Sequence, residues 1–242
     1  MTIHKPRLNP AEFNRQQRIK DSNVVGIIAD THFPFEHPDY LDFCKDIFDA
    51  HRVDQVVQIG DMFDFYFLSF HPTSANAMSG NEEINKAMES KEKWQEVFPE
   101  MKILIGNHEA RLMRRYNYGL IPSRLQKTIN EAFGFPDTWT VHQNLEIDGV
   151  LYIHGHGAKG GRDAAINNAI AARQSVVQGH THLYGGVKYD TSFGGTVFGL
   201  NVGCGVDESQ YVFSYAKQSP QSGTLGCGVV VGGKEAHFFP MI

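Results

Sequence analysis

Five short apolar runs in this chain each stop at a cluster of metal-type or proton-transferring residues. In order the clusters are Asp30-Thr31-His32, Gly60-Asp61-Met62-Phe63-Asp64, Gly106-Asn107-His108-Glu109, His154-Gly155-His156 and Gly179-His180-Thr181-His182. The runs that carry them are VVGIIAD (24–30), QVVQIGD (55–61), MKILIGN (101–107), VLYIHGH (150–156) and SVVQGHTH (175–182). They have strand length and strand composition, as buried strands do. Helical spacing fills the intervals. Residues 38–51 start near Pro38; 81–98 carry Asn81 as an expected cap, Glu82 and Glu83 at the positive end, and Pro99 as a stop. Residues 109–133 are broken at Gly119 to Pro122, and 162–173 are Ala-rich.

Strand–helix–strand order predicts right-handed crossover units in an α/β fold. Ligands of such folds gather beyond the carboxyl ends of the strands, which is where these clusters fall. After residue 183 glycines multiply, and alternating runs at 196–202, 227–231 and 236–239 predict antiparallel strands that complete a second sheet. The expected organisation is an N-terminal arm over 1–23 and one domain over 24–242.

Composition narrows the class. Of 242 residues, 41% are hydrophobic and 20% charged, enough for a core and ordinary for a folded, soluble protein. No apolar run approaches the roughly 20 residues that span a bilayer, so no membrane partner is expected. The polar start has no signal-like apolar stretch. Three cysteines, Cys44, Cys204 and Cys227, show no CxxC spacing; that fits a reducing compartment, and a cytoplasmic location is expected. The net charge of −5 argues against indiscriminate nucleic-acid binding but leaves room for local basic patches. One is Arg111, Arg114, Arg115, Arg124 and Lys127; the other, Lys5, Arg7, Arg15, Arg18 and Lys20, lies in the arm.

Carboxylate, imidazole and amide oxygen together suit a divalent metal of borderline character. Asp30 and His32, two apart, project to one side of an extended segment. Asp61 has two oxygens with which to bridge two ions, Asn107 offers a neutral oxygen, and His154, His180 and His182 complete the set. The glycines before Asp61, Asn107 and His180 permit sharp turns and close backbone approach.

In all five blocks, over residues 24–182, the chain resembles the calcineurin-like metallophosphoesterases. The resemblance implies a four-layered αββα sandwich of two mixed β-sheets, with a dinuclear metal site at one edge. It implies one ion on Asp30, His32, Asp61 and His182 and another on Asp61, Asn107, His154 and His180. Mn²⁺ is the expected metal, with Fe or Zn²⁺ as alternatives. The expected reaction is hydrolysis of a phosphoester by a metal-bridging hydroxide. His108, beside Asn107 but not needed as a ligand, is the expected general acid. Asp64 orients it and favours its charged form; the resemblance assigns the same two roles.

Arg111 and His156 are candidate substrate contacts, as are Lys159 and Arg162, while Glu109 is expected to tie down its own loop. The aromatic run Phe63, Phe65, Tyr66, Phe67 and Phe70 reads as core or cleft wall. The protein phosphatase branch of the family places Arg-Gly after the second aspartate of the GDxxD block; here Phe65 and Tyr66 follow Asp64. A phosphodiesterase or phosphatase of small substrates is the simplest reading. A nuclease that uses residues 111–127, or a metal-stabilised binding protein without turnover, are the alternatives.

Overall fold

Apolar β-branched residues fill β1 (Val24–Ile28), which is buried along its whole length, and the fold is built outward from it. Along the chain follow α1 (Tyr40–His51), β2 (Gln55–Gln58), α2 (Gly80–Val97), β3 (Met101–Leu104), α3 (Glu109–Tyr118) and α4 (Ile129–Phe133). Then come β4 (Trp139–His142), β5 (Leu145–Ile147), β6 (Val150–Ile153), α5 (Ala164–Ala172) and β7 (Ser175–Gln178). The hairpins β8 (Gly185–Ser192) with β9 (Gly195–Val202), and β10 (Gly226–Val231) with β11 (Glu235–Pro240), close the chain. This is a computed structural model, and it describes residues 22–70, 74–210 and 222–242. The expected N-terminal arm and its basic residues, together with His4 and His71, lie outside the described residues, save Ser22 and Asn23 at the arm's end.

Two mixed sheets result. In the first, of order β11-β10-β1-β2-β3-β4, β1 to β4 run parallel while β10 and β11 are antiparallel. In the second, of order β5-β6-β7-β9-β8, β6, β7 and β9 are parallel and the outer strands antiparallel. Side chains from both sheets share one core: Ile27, Val57 and Val229 from the first meet Tyr152, Val177, Leu200 and Val202 from the second. Phe48 of α1 and Trp94 of α2 pack against the first sheet. Ile166 and Ala169 of α5 cover Val176 of the second. The expected four-layer αββα sandwich is the architecture observed. Among the described residues no helix is long and apolar enough to cross a membrane.

Several expectations change in detail. The tail does not build one sheet: β9 enters the second sheet beside β7, whereas β10 and β11 join the first beside β1. Alternation marks a strand but not its partner; the choice is made by tertiary contacts. The Tyr40 hydroxyl accepts from Ala29 N at 3.0 Å and donates to Gly226 O at 2.7 Å, which stitches β10 to the end of β1. Strands β4, β5 and β8 carry weak sequence patterns; Trp139 of β4 is buried and donates to Phe98 O at 2.9 Å. The cap of α2 is Ser79 and not Asn81: Ser79 and Glu82 form a reciprocal capping box. Ser79→Ala is therefore expected to cost about 1 kcal/mol in urea denaturation, whereas Asn81→Ala stays close to neutral.

Candidate metal centre

Each of β1, β2, β3, β6 and β7 ends one or two residues before its cluster, so the chemistry sits on the turns that leave the strands. Three of these residues occupy the left-handed region, His32 at φ 52°, Asp61 at φ 49° and His180 at φ 65°. Non-glycine residues are uncommon there, and such strain concentrates at functional sites. His32 is thus not on an extended segment, as the two-residue spacing implied; it reaches the side of Asp30 through a turn. The preceding glycines are needed for closeness. A Cβ at Gly106 would lie 2.0 Å from Asp61 Oδ1, and one at Gly60 (φ +105°) 2.6 Å from His154 Nδ1.

Buried polar side chains shape these turns. Glu109 accepts from Asp61 N at 3.1 Å, Phe63 N at 3.0 Å and Gly106 N at 2.8 Å, locking two clusters together. That is the loop-tying role expected of it. Gln58 folds back on Gly60, donating to its oxygen at 2.9 Å and accepting from its N–H at 2.8 Å. The sequence signal for Gln58 is a glutamine two residues before Gly60, between the apolar pair Val56-Val57 and Ile59.

All seven candidate ligands converge. Asp30, His32 and His182 form one group, and Asp61, His154 and His180 another, each with ligand atoms within 4.8 Å of one another. Asn107 joins the second group, its Oδ1 3.0 Å from His154 Nε2. Asp61 Oδ2 lies between the groups, 3.2 Å from His154 Nε2 and 3.8 Å from His32 Nε2.

The donor set fits divalent metal. His32 Nδ1 donates to Asp64 Oδ1 at 2.7 Å, which turns its Nε2 lone pair inward, 3.2 Å from His182 Nε2. His154 Nδ1 donates to Ile59 O at 3.1 Å, which turns its Nε2 toward the oxygens of Asp61 and Asn107. Among the described residues the buried Asp30 Oδ1 accepts no hydrogen bond, although His154 Nδ1 lies 3.2 Å from it. A buried ring of inward lone pairs needs positive charge at its centre. In the metal-free molecule protons supply it. Burial alone would lower the pKa of His154, but the carboxylates of Asp61 and Asp30 overcome it and raise it to about 10. Burial raises Asp30 to about 7, with Asp61 adding to the effect. Burial, reinforced by His154, lowers His180 to about 4.

Around this ring the other candidates divide. His108 Nδ1 donates to the main-chain oxygen of Asp64 at 2.5 Å, and the Asp64 carboxylate is 3.3 Å away. Asp64 therefore holds His32 more closely than His108, serving both. Arg111 donates to Asp64 O at 3.0 Å and to His108 Nε2 at 2.9 Å. His156 is exposed at the mouth, its ring 5.4 Å from that of His154. Lys159 is exposed, its backbone pinned by Asn168, and Arg162 lies over Tyr184 at 5.4 Å.

Residues 24–193 match the family model of calcineurin-like phosphoesterases. The chain belongs to that family. No curated protein sequence matches it. Solved structures similar to it include vacuolar protein sorting 29 of Cryptosporidium parvum, at 11% identity and a TM-score of 0.45 over 91% of this chain and 98% of that one. A single-mutant Vps29 of Entamoeba histolytica aligns at 12% identity and TM-score 0.40, over 90% and 99%. Vps29 of Chaetomium thermophilum aligns at 10% and 0.42, over 90% and 97%. Family membership and the His/Asp groups together point to divalent metal binding.

Two outcomes follow. Ligation requires deprotonated His154 and Asp30, and their raised values, about 10 and about 7, mean that metal loading at pH 7 releases protons and that affinity climbs from pH 6 to 8. Calorimetry in buffers of different ionisation heat counts those protons; a count of zero contradicts the arrangement. Glu109→Ala strands buried N–H groups worth about 1–3 kcal/mol each. It should lower stability by more than about 3 kcal/mol in urea titration, with metal affinity falling alongside.

Proposed function

We propose that this protein is a metal-dependent phosphoesterase acting on phosphodiesters or phosphomonoesters. The observation that carries this reading is the Asp61 carboxylate, set between two His/Asp groups with His108 and Arg111 beside it. Asp30, His32, Asp61 and His182 would hold one ion, and Asp61, Asn107, His154 and His180 a second. Mn²⁺ is the first choice, with Fe or Zn²⁺ as alternatives. Such ions supply Lewis acidity toward phosphoryl oxygens and lower the pKa of water.

The chain's own residues do the rest. Arg111 reaches the main-chain oxygens of Asp64 and Phe65, at 3.0 and 3.5 Å, so its guanidinium stands near the place where the phosphatase branch carries its arginine. It grips the phosphate, with His156 at the rim. In doing so it leaves His108 Nε2, the atom it otherwise occupies. His108 Nε2, once vacated, takes up a proton from solvent; as water adds to phosphorus and gives a proton to solvent, and the bond to the leaving oxygen breaks, His108 passes its Nε2 proton to that oxygen and returns to the neutral form. The Asp64 oxygen holds Nδ1, so the ring stays aimed. His108 has its pKa raised: burial opposes the charge, but Asp61 and Asp64 favour it more. Three free, buried cysteines support a reducing, cytoplasmic setting.

The test is turnover of bis-p-nitrophenyl phosphate and p-nitrophenyl phosphate with Mn²⁺. His108→Ala should keep its metal and lose about 10²–10⁴ in rate, most on poor leaving groups. Asp61→Ala should lose both ions on metal analysis. A metal-loaded protein that hydrolyses neither substrate, nor nucleotides, would leave a metal-stabilised binding protein.

A further inference from the structure

Beside the candidate centre, the turn 64–70 is held from both sides. Tyr66 N and Phe67 N donate to the buried Glu83 carboxylate at 2.8 and 3.3 Å. Arg111 takes the oxygens of Asp64 and Phe65, and Arg115 those of Leu68 and Ser69, at 3.0 and 2.8 Å from Nη2. This held turn presents Phe70 outward. The run expected to be core or cleft wall divides accordingly: Phe63 and Phe65 are buried, while Phe70 keeps 50% of its surface in water. Arg115 lies over the Phe70 ring at 4.0 Å, and Tyr118, 74% exposed, meets it edge-on at 5.6 Å. Arg114 links this face to the metal centre. Its guanidinium is 5.7 Å from the Phe70 ring and donates to Asn107 O at 3.2 Å.

We propose that Phe70, Tyr118, Arg114 and Arg115 form a subsite for an unpaired nucleobase and its adjoining phosphate, so that the phosphoester cleaved here belongs to single-stranded nucleic acid. The proposal rests on the hydrolase reading above. Charge complementarity selects the occupant. The chain carries −5 overall, yet this face gathers Arg111, Arg114 and Arg115 on one helix. Guanidinium groups match phosphate oxygens, and the half of Phe70 that Arg115 and Tyr118 leave in water can stack any base without reading its edges. Because the turn is already pinned, little ordering is lost on binding. A base on Phe70 places its neighbouring phosphate toward Arg114, and the strand then runs on to Asn107 and His108.

The experiment measures binding apart from turnover. Fluorescein-labelled oligothymidine is titrated into the Mn²⁺-loaded protein by anisotropy over a salt series, while bis-p-nitrophenyl phosphate reports hydrolysis. Phe70→Ala should weaken oligothymidine binding about tenfold. Arg114→Ala should weaken it and reduce the slope of log K against log salt by about 0.7. Lys234→Ala, in the exposed β10–β11 turn at the opposite end of β1, should change neither. Failure of the wild type to bind oligothymidine while it hydrolyses the small diester overturns the proposal and leaves the hydrolase reading standing. So does binding that both variants leave intact, or tighter binding of duplex than of single strand. Self-association that Phe70→Ala abolishes, without oligonucleotide binding, assigns the face to a second copy and also overturns it. Oligothymidine binding that needs Phe70, with no phosphoester hydrolysed, confirms the subsite and removes the hydrolase reading.

Discussion

A carboxylate almost fully withdrawn from water, that of Asp61, governs the arrangement of the whole strand-end edge. Its Oδ1 accepts from His108 N at 2.8 Å, and its Oδ2 faces His154, His32 and His108 at 3.2, 3.8 and 3.9 Å. Burying such a charge without a partner is costly. The partners come from segments far apart in sequence, so the cost is met only when the sheets are assembled. Glu109 fixes the Asp61 backbone, Gln58 shapes the glycine before it, and Gly106 leaves room for its oxygens. Strained backbone at His32, Asp61 and His180 is tolerated because the strands beneath are rigid and their core is continuous across both sheets.

The site is built in two tiers. The inner tier is a ring of lone pairs aimed by outward hydrogen bonds: His32 is set by Asp64, and His154 by Ile59 O. The outer tier borders that ring and consists of His108, Arg111, Arg114 and His156. Asp64 belongs to both, since its carboxylate orients His32 and its main-chain oxygen orients His108. A change at Asp64 therefore reaches His32 and His108 at once.

Much of this was legible in the residues alone. The five apolar runs with polar endings identified the strands that matter, and each run's last residues supplied a member of the site. The glycines at 60 and 106 announced close approach, and Glu109 its loop. The direction of the arginines was not legible. Arg111, Arg114 and Arg115 are neighbours in sequence, yet one lies on His108, one on Asn107 O and one on Leu68 and Ser69. Spacings of three and four place Arg111 beside Arg114 and Arg115 on the helix surface, and only the position of the 64–70 turn decides what each one meets. The capping box at Ser79 is readable as a serine three residues before a glutamate, whereas Asn81 qualifies as a cap by residue type alone.

Sequence alone determined the residue types of the centre, the strand–helix rhythm and the family, because local pattern and side-chain chemistry are properties of short segments. Tertiary structure decided which sheet received the last two hairpins, that His32, Asp61 and His180 sit in left-handed turns, and that Phe70 stays half exposed while Phe63 and Phe65 are buried. Those outcomes depend on contacts between residues distant along the chain, such as Tyr40 with Gly226 and Asp61 with His154. No local periodicity encodes them.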